Sequence, residues 1–257
     1  MALMITRSFE DTILNITCDE DELYTVNHIF EPEFHQEIYV QACKKTKAMK
    51  DAFQIGRSDL LEREISRGVQ PSYADDENDP DSLSFEGMLL KNGKRLNNKN
   101  DNVCVLKSNC VRNGFIDISL ARSTTRDKYE SCKDRAGVKR GDLLVNSTGD
   151  GTIGRVAVYD FNFPAVVDGH ITIIRFKNKK LAWYVAAFLM TDDGQRQIYR
   201  YINGSSGQVE IYPQDIARIW VKPPTELKIE QVYKKYQKAC RTHDKFYRDL
   251  LSALDEV

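Results

Sequence analysis

The chain has 257 residues, enough for one large domain or two small ones around a real core. With 37 basic against 38 acidic side chains, its net charge of −1 excludes a simple basic coat for nucleic acid. The apolar run around Ala182 to Met190 falls far short of the roughly 20 residues that cross a bilayer, and no basic-then-apolar leader opens the chain, so the expectation is a cytoplasmic protein with no membrane partner.

The charge is unevenly spread. Residues 1–54 carry 5 basic and 10 acidic side chains, whereas 225–257 carry 7 and 6. The stretch between them, with 25 basic and 22 acidic, is mildly basic, which implies modest DNA affinity that leans on a partner. The six cysteines are scattered without CxxC spacing, so neither zinc nor a redox dithiol is expected.

Residues 1–35 read as acidic and irregular, with a charge run at Asp19 to Glu22. Gln36 to Lys50 has helical composition. Asp59 to Ser66 reads as a helix with Leu60, Leu61 and Ile65 inward, and residues 75–102 as a long polar excursion. Val103 to Leu106 and Phe115 to Ile118 read as short strands around Lys107, Asn109 and Arg112; Arg122 follows. Arginine and asparagine make bidentate contacts with guanine and adenine edges, although either segment also fits a solvated turn.

Gly141 to Ala157 reads strand, glycine loop, strand. The loop holds Gly149-x-Gly151-x-x-Gly154, formally a dinucleotide fingerprint. That fingerprint needs a helix after it to hold the pyrophosphate, and here Val156 to Tyr159 continue as a strand, so a Rossmann site is excluded. Two readings remain: a glycine-permitted hairpin, or a loop whose free amides and Ser147, Thr148 and Thr152 hydroxyls approach a phosphate backbone, with Asp150 and Arg155 beside them. Ala165 to Phe176 alternates as one strand; His170 within it reads as packed or hydrogen-bonded rather than catalytic, because no triad or ligand set completes it. Lys180 to Met190 is an apolar core helix. Gln195 to Tyr201 resumes with Arg200 and Tyr201, an aromatic-arginine pattern that suits a nucleic-acid backbone or a plain amphipathic helix. A second polar loop follows, with Asn203, Ser205, Ser206 and Gln208.

Thr225 to Val257 reads as one long helix after Pro223-Pro224. Ile229, Val232, Tyr236, Ala239, His243, Phe246 and Leu250 recur at alternating spacings of three and four, a heptad seam that predicts a coiled coil; a helix folded back on its own domain is the alternative.

The order of these pieces resembles the target recognition domain and following helix of type I restriction-modification specificity subunits. It spans Asp59 to Val257 and is carried by Gly141 to Leu144, the loop from Thr148 to Arg155, Gly207-Gln208, Ile216 to Ile219 and Pro223-Pro224. The resemblance implies an α+β chain: a 1–54 arm, a mainly β recognition domain with peripheral helices over 55–224, and a 225–257 coiled-coil helix. It also implies DNA contact through Lys107, Asn109, Arg112, Arg122, Ser147, Thr148, Asp150, Thr152, Arg155, Arg200, Tyr201, Asn203, Ser205, Ser206 and Gln208. The expected partners are double-stranded DNA, an adenine methyltransferase subunit carrying S-adenosylmethionine, and a restriction or motor subunit. No cofactor, metal or catalytic residue is expected on this chain, which lacks the Asn/Asp-Pro-Pro-aromatic tetrad, a nuclease carboxylate cluster and an ATP loop. Family members usually carry two recognition domains and two helices. A single copy of each predicts a half-subunit that pairs with itself through Ile229, Val232, Tyr236, His243, Phe246 and Leu250, reading a symmetric interrupted site. The runner-up is the specificity region of a fused methyltransferase or restriction enzyme. A third reading is a protein-interaction module with no DNA role.

Overall fold

Leu143, Leu144 and Val145 run without a polar residue between them, a pattern that suits a strand covered on both faces. A computed structural model describes residues 3–9, 12–18, 32–70, 103–204, 208–254 and 256, and there this strand is central. The described elements are β1 (Leu3–Phe9), β2 (Thr12–Cys18), α1 (Glu37–Lys47), β3 (Phe53–Gln54), β4 (Ser66–Arg67), β5 (Val103–Leu106), β6 (Arg122–Thr124) and α2 (Arg126–Ala136). They continue with β7 (Gly137–Val138), β8 (Leu143–Asn146), β9 (Val156–Val158), β10 (Ala165–Val167), β11 (Ile171–Ile174), α3 (Lys179–Leu189) and α4 (Asp192–Arg200). Last come α5 (Pro213–Ala217), β12 (Trp220–Val221) and α6 (Glu226–Leu254).

Two four-stranded sheets, ordered β6-β5-β10-β7 and β4-β11-β8-β9, form the middle layers. Side-chain alternation assigns each face. In β8, Leu143 and Val145 join the cluster with α3 residues Leu181, Ala182, Val185 and Leu189. Leu144 points the other way and joins Cys104, Leu106, Ala165 and Val167 of the first sheet. On that sheet's far face, Val105 and Val166 meet Ala136 of α2. The architecture is therefore helix, sheet, sheet, helix, and it is α+β. Period-two alternation with both faces apolar is what lets the short strands be wholly buried.

Three stretches differ from the sequence reading. Asp59 to Ser66 is not a helix: Leu61 bridges Phe176, Lys177 N donates to Leu60 O at 2.9 Å, and Ser66–Arg67 pair with β11. Pairing with that sheet edge outweighs a weak helical periodicity. Ala165 to Phe176 is two strands in different sheets, because Asp168 Oδ1 accepts from His170 N at 2.9 Å and turns the chain. Phe115 to Ile118 is a bridge between Val111 and Ile116 followed by a 3-10 turn.

Within residues 1–35, which read as irregular, the described part holds regular structure. β1 and β2 pair as an antiparallel hairpin. Helix α1 packs on α4, with Lys45 Nζ 3.1 Å from Asp193, and β3 pairs with β12. The Asp19–Glu22 run and the 75–102 excursion lie outside the described residues. No described helix is long and apolar enough to cross a membrane.

The long helix is present, but its near half is docked on the domain. Ile229, Tyr233, Tyr236 and Cys240 pack against the α3 side of the core, and Trp183 meets the rings of Tyr233 and Tyr236 edge-on at 5.9 and 5.0 Å. His243 stacks on Phe115 at 4.1 Å. The docked stripe is offset from the predicted seam, because Tyr233 and Cys240 replace Val232 and Ala239. Of the proposed pairing residues, His243, Phe246 and Leu250 remain on the surface, the last two 64% and 43% exposed.

The glycine loop is a hairpin connection between β8 and β9. Gly149, Gly151 and Gly154 have φ of +88°, +76° and +80°, and Gly154 N closes on Asn146 O at 2.9 Å. A Cβ at Gly154 would also press on Gln195 and Ile198 at 3.3 Å. Gly154→Ala is expected to cost about 1–2 kcal/mol, read as a lower urea midpoint at unchanged slope. An unshifted midpoint would contradict the left-handed conformation at this residue.

Candidate nucleic-acid interface

The two polar loops meet. Gly149 N donates to Val209 O at 3.1 Å and Ile211 N to Ser147 O at 2.9 Å. Asn203 and Glu210 exchange both backbone bonds at 2.8 Å, so the second loop is a small hairpin laid against the first. The 3-10 turn Ser108–Cys110 lies at the base of the glycine loop, where Asn146 Nδ2 donates to Ser108 O at 2.7 Å. Three segments far apart in sequence thus converge at one end of the two sheets.

Within this end, Thr148 Oγ1 shares a 2.6 Å hydrogen bond with the exposed His170 ring, while Asp150 stands at the loop tip and Asn109 and Gln208 are exposed. Lys107 and Asn203 are half-buried. Thr152 and Arg155 brace the loop through bonds to its backbone. The Thr152 hydroxyl donates to Thr148 O at 3.0 Å, and Arg155 Nη2 donates to Gly151 O at 2.7 Å. Arg122 starts β6 opposite Val105, one residue before the end of β5, and Arg112 lies 3.8 Å from Asp117. Ser205 and Ser206 lie outside the described residues.

Three predicted contacts are corrected. Ser147 is fully buried, its hydroxyl 2.5 Å from Thr172 Oγ1, so it holds β8 to β11 and offers nothing to a ligand. Arg200 is 3% exposed; its Nε donates to Phe34 O at 3.1 Å and its guanidinium lies 4.1 Å from the Phe34 ring. Tyr201 packs beside it on Phe34 at 5.5 Å. The aromatic-arginine pattern therefore anchors residues 32–35, since a stem that can bury against an aromatic ring does so when one is within reach.

Sequence reasoning missed Arg67, Glu210 and Tyr212. Arg67 forms an ion pair with Glu210, donates to Ile211 O at 2.7 Å and covers the Tyr212 ring at 5.3 Å. Hydrogen bonding from Arg67, opposed by burial, holds the Glu210 carboxyl below its usual range. Burial raises the Asp168 carboxyl, and it pushes the Cys110 thiol up to about 12, which makes that sulfur a poor nucleophile. No signal in the local sequence pairs residues 143 apart. A cleft of about 250 Å³ beside the loops is lined by Tyr39, Asp150, Ile153, Tyr199, Ile202 and Val209. Among the described residues, no group of three or more His, Cys, Asp or Glu side chains could hold a metal ion.

Compared as sequence, the chain matches no protein-family profile and no curated protein. Compared as structure, it is similar to the type IIG restriction endonuclease BpuSI at 9% identity and a TM-score of 0.49, over 90% of this chain and 32% of that one. It is also similar to a chain of a type I restriction-modification system (11%, TM-score 0.43, 84% of this chain and 51% of that one). A third likeness is to the HsdS subunit from Thermoanaerobacter tengcongensis (9%, TM-score 0.41, 82% and 47%). The chain spans about a third of the first structure and about half of the other two. With TM-scores below 0.5, these likenesses establish no function for it.

Proposed function

We propose that this chain is a sequence-specific DNA-recognition unit of a restriction-modification system. It directs a partner adenine methyltransferase, which carries the S-adenosylmethionine, to its site; a motor-nuclease is a further candidate partner. The observation that carries the reading is the convergence of the Lys107–Asn109 turn, the glycine loop and the Asn203–Glu210 hairpin at one end of a rigid double sheet. Such an end offers Lys107 and main-chain amides to phosphates, and Asn109 and Gln208 to base edges. The test is selection from a random duplex library by the intact chain with its methyltransferase. An enriched, two-part symmetric motif is the expected result. No enrichment from the library would overturn the reading.

The exposed Phe246 and Leu250 on the far turns of α6 support self-pairing through that part of the helix. Light scattering is expected to give twice the 29.5 kDa of one chain. The double change Phe246→Asp with Leu250→Asp, each removing a buried apolar contact of about 1.5–3 kcal/mol, is expected to give a monomer. A monomeric wild-type chain would contradict the pairing and leave the helix for a different protein.

A further inference from the structure

We infer that Arg67 is a positioning residue that sets the two recognition loops in one register, so that sequence discrimination, more than backbone affinity, depends on its clamp on Glu210. This deepens the DNA-recognition reading above and rests on it. Four observations lead there. Arg67 is fixed in the sheet by pairing with Thr172 of β11, so its guanidinium projects from a rigid base. That guanidinium reaches Glu210 and the Ile211 carbonyl together, and it lies over the Tyr212 ring at 5.3 Å. Glu210 in turn is the residue at which both loops are bridged: its backbone pairs with Asn203 of the second loop and with Thr148 of the first. Finally, Arg67 Nε is buried without a hydrogen-bond partner.

With Nε unpaired, Nη1 and Nη2 carry the contacts to Glu210 and to the Ile211 carbonyl. The fork of a guanidinium can hold a carboxylate and a carbonyl at a fixed mutual angle; an ammonium is a point charge and cannot. Removing the clamp frees the Asn203–Glu210 hairpin to slide against Gly149 while leaving β8 and β11 intact. Base-reading groups then lose their common frame, although phosphate contacts at the separate Lys107 turn persist.

The experiment compares the intact chain with Arg67→Met, Arg67→Lys and Glu210→Gln. Amide hydrogen exchange is read at Gly149, Asn203, Glu210 and Ile211, with Leu144 and Val145 of β8 as the control for global folding. Arg67→Met is expected to speed exchange at the loop amides about tenfold to a hundredfold and to leave the β8 amides unchanged. Arg67→Lys is expected to restore only part of the protection, and Glu210→Gln to behave like Arg67→Met. In the random-duplex selection, Arg67→Met is expected to lose the enriched motif while keeping the salt slope of binding to a fixed duplex. Unchanged loop exchange, equal acceleration at β8, full rescue by lysine, or a retained motif would each overturn the inference. A wild-type chain that binds no DNA would instead overturn the recognition reading, and the exchange data would still decide the clamp.

Discussion

Replacing Asp142 by alanine is expected to destabilise the domain by about 3–5 kcal/mol, because it leaves a guanidinium buried without its counter-ion. Asp142 is 1% exposed and Arg175 8%. Arg175 Nε and Nη2 meet the two carboxylate oxygens at 2.8 and 2.7 Å, and Nη2 also donates to Gly137 O at 3.0 Å. The same carboxylate accepts from Lys139 N at 2.7 Å, which fixes the turn into β8. At roughly 2–4 °C per kcal/mol for a domain of this size, the melting temperature is expected to fall by roughly 6–20 °C. The double change Asp142→Leu with Arg175→Met removes both charges and is expected to recover most of the loss. A double variant as unstable as Asp142→Ala would mean that packing, and not the stranded charge, sets the effect.

Trp183→Ala is expected to cost a similar amount, about 3–5 kcal/mol, by opening a cavity between α3 and α6. Trp183 is 2% exposed and its ring is the contact on which Tyr233 and Tyr236 rest. The cost is expected to appear in chemical denaturation and also as protease cleavage near Thr225, where the released helix leaves the domain. Trp183→Phe keeps an aromatic face and is expected to lose less than half as much. A loss under about 1 kcal/mol for Trp183→Ala would contradict the docking of α6 through this residue.

How far the sequence could be read depended on whether a residue's partner was near in the chain. The β8–loop–β9 unit was legible because its apolar runs and three glycines lie within one hairpin. The apolar character of α3 was legible too, since a helix covered by a sheet and by α6 needs few polar positions. Asp59 to Ser66 departs from its helical spacing because its partner, β11, lies more than a hundred residues on, and edge pairing outweighs local periodicity. The pattern of Arg200 and Tyr201 at the end of α4 suits a nucleic-acid surface or a plain amphipathic helix equally, because which face is buried depends on Phe34, distant in sequence. The helix of α6 is legible in its apolar spacing, whereas the seam predicts a coiled coil and the near half instead docks on its own domain. Two stripes share those positions, however, and contact with Trp183 selects the one through Tyr233 and Cys240 for the helix's near half. The Arg67–Glu210–Tyr212 clamp joins β4 to the second loop by side chains alone, so nothing periodic announces it.

The central claim is that the end of the double sheet formed by the three segments binds DNA. Its most direct test is the affinity of the intact chain, together with its methyltransferase, for a duplex of about 30 base pairs, measured by fluorescence anisotropy as salt rises. Affinity is expected to fall linearly on a log–log plot with a slope of about −3 or steeper, and Lys107→Ala to flatten that slope by about 0.9. Absent binding at low salt, or binding that ignores both salt and Lys107→Ala, would contradict the claim and leave the converging loops as a surface for some other partner.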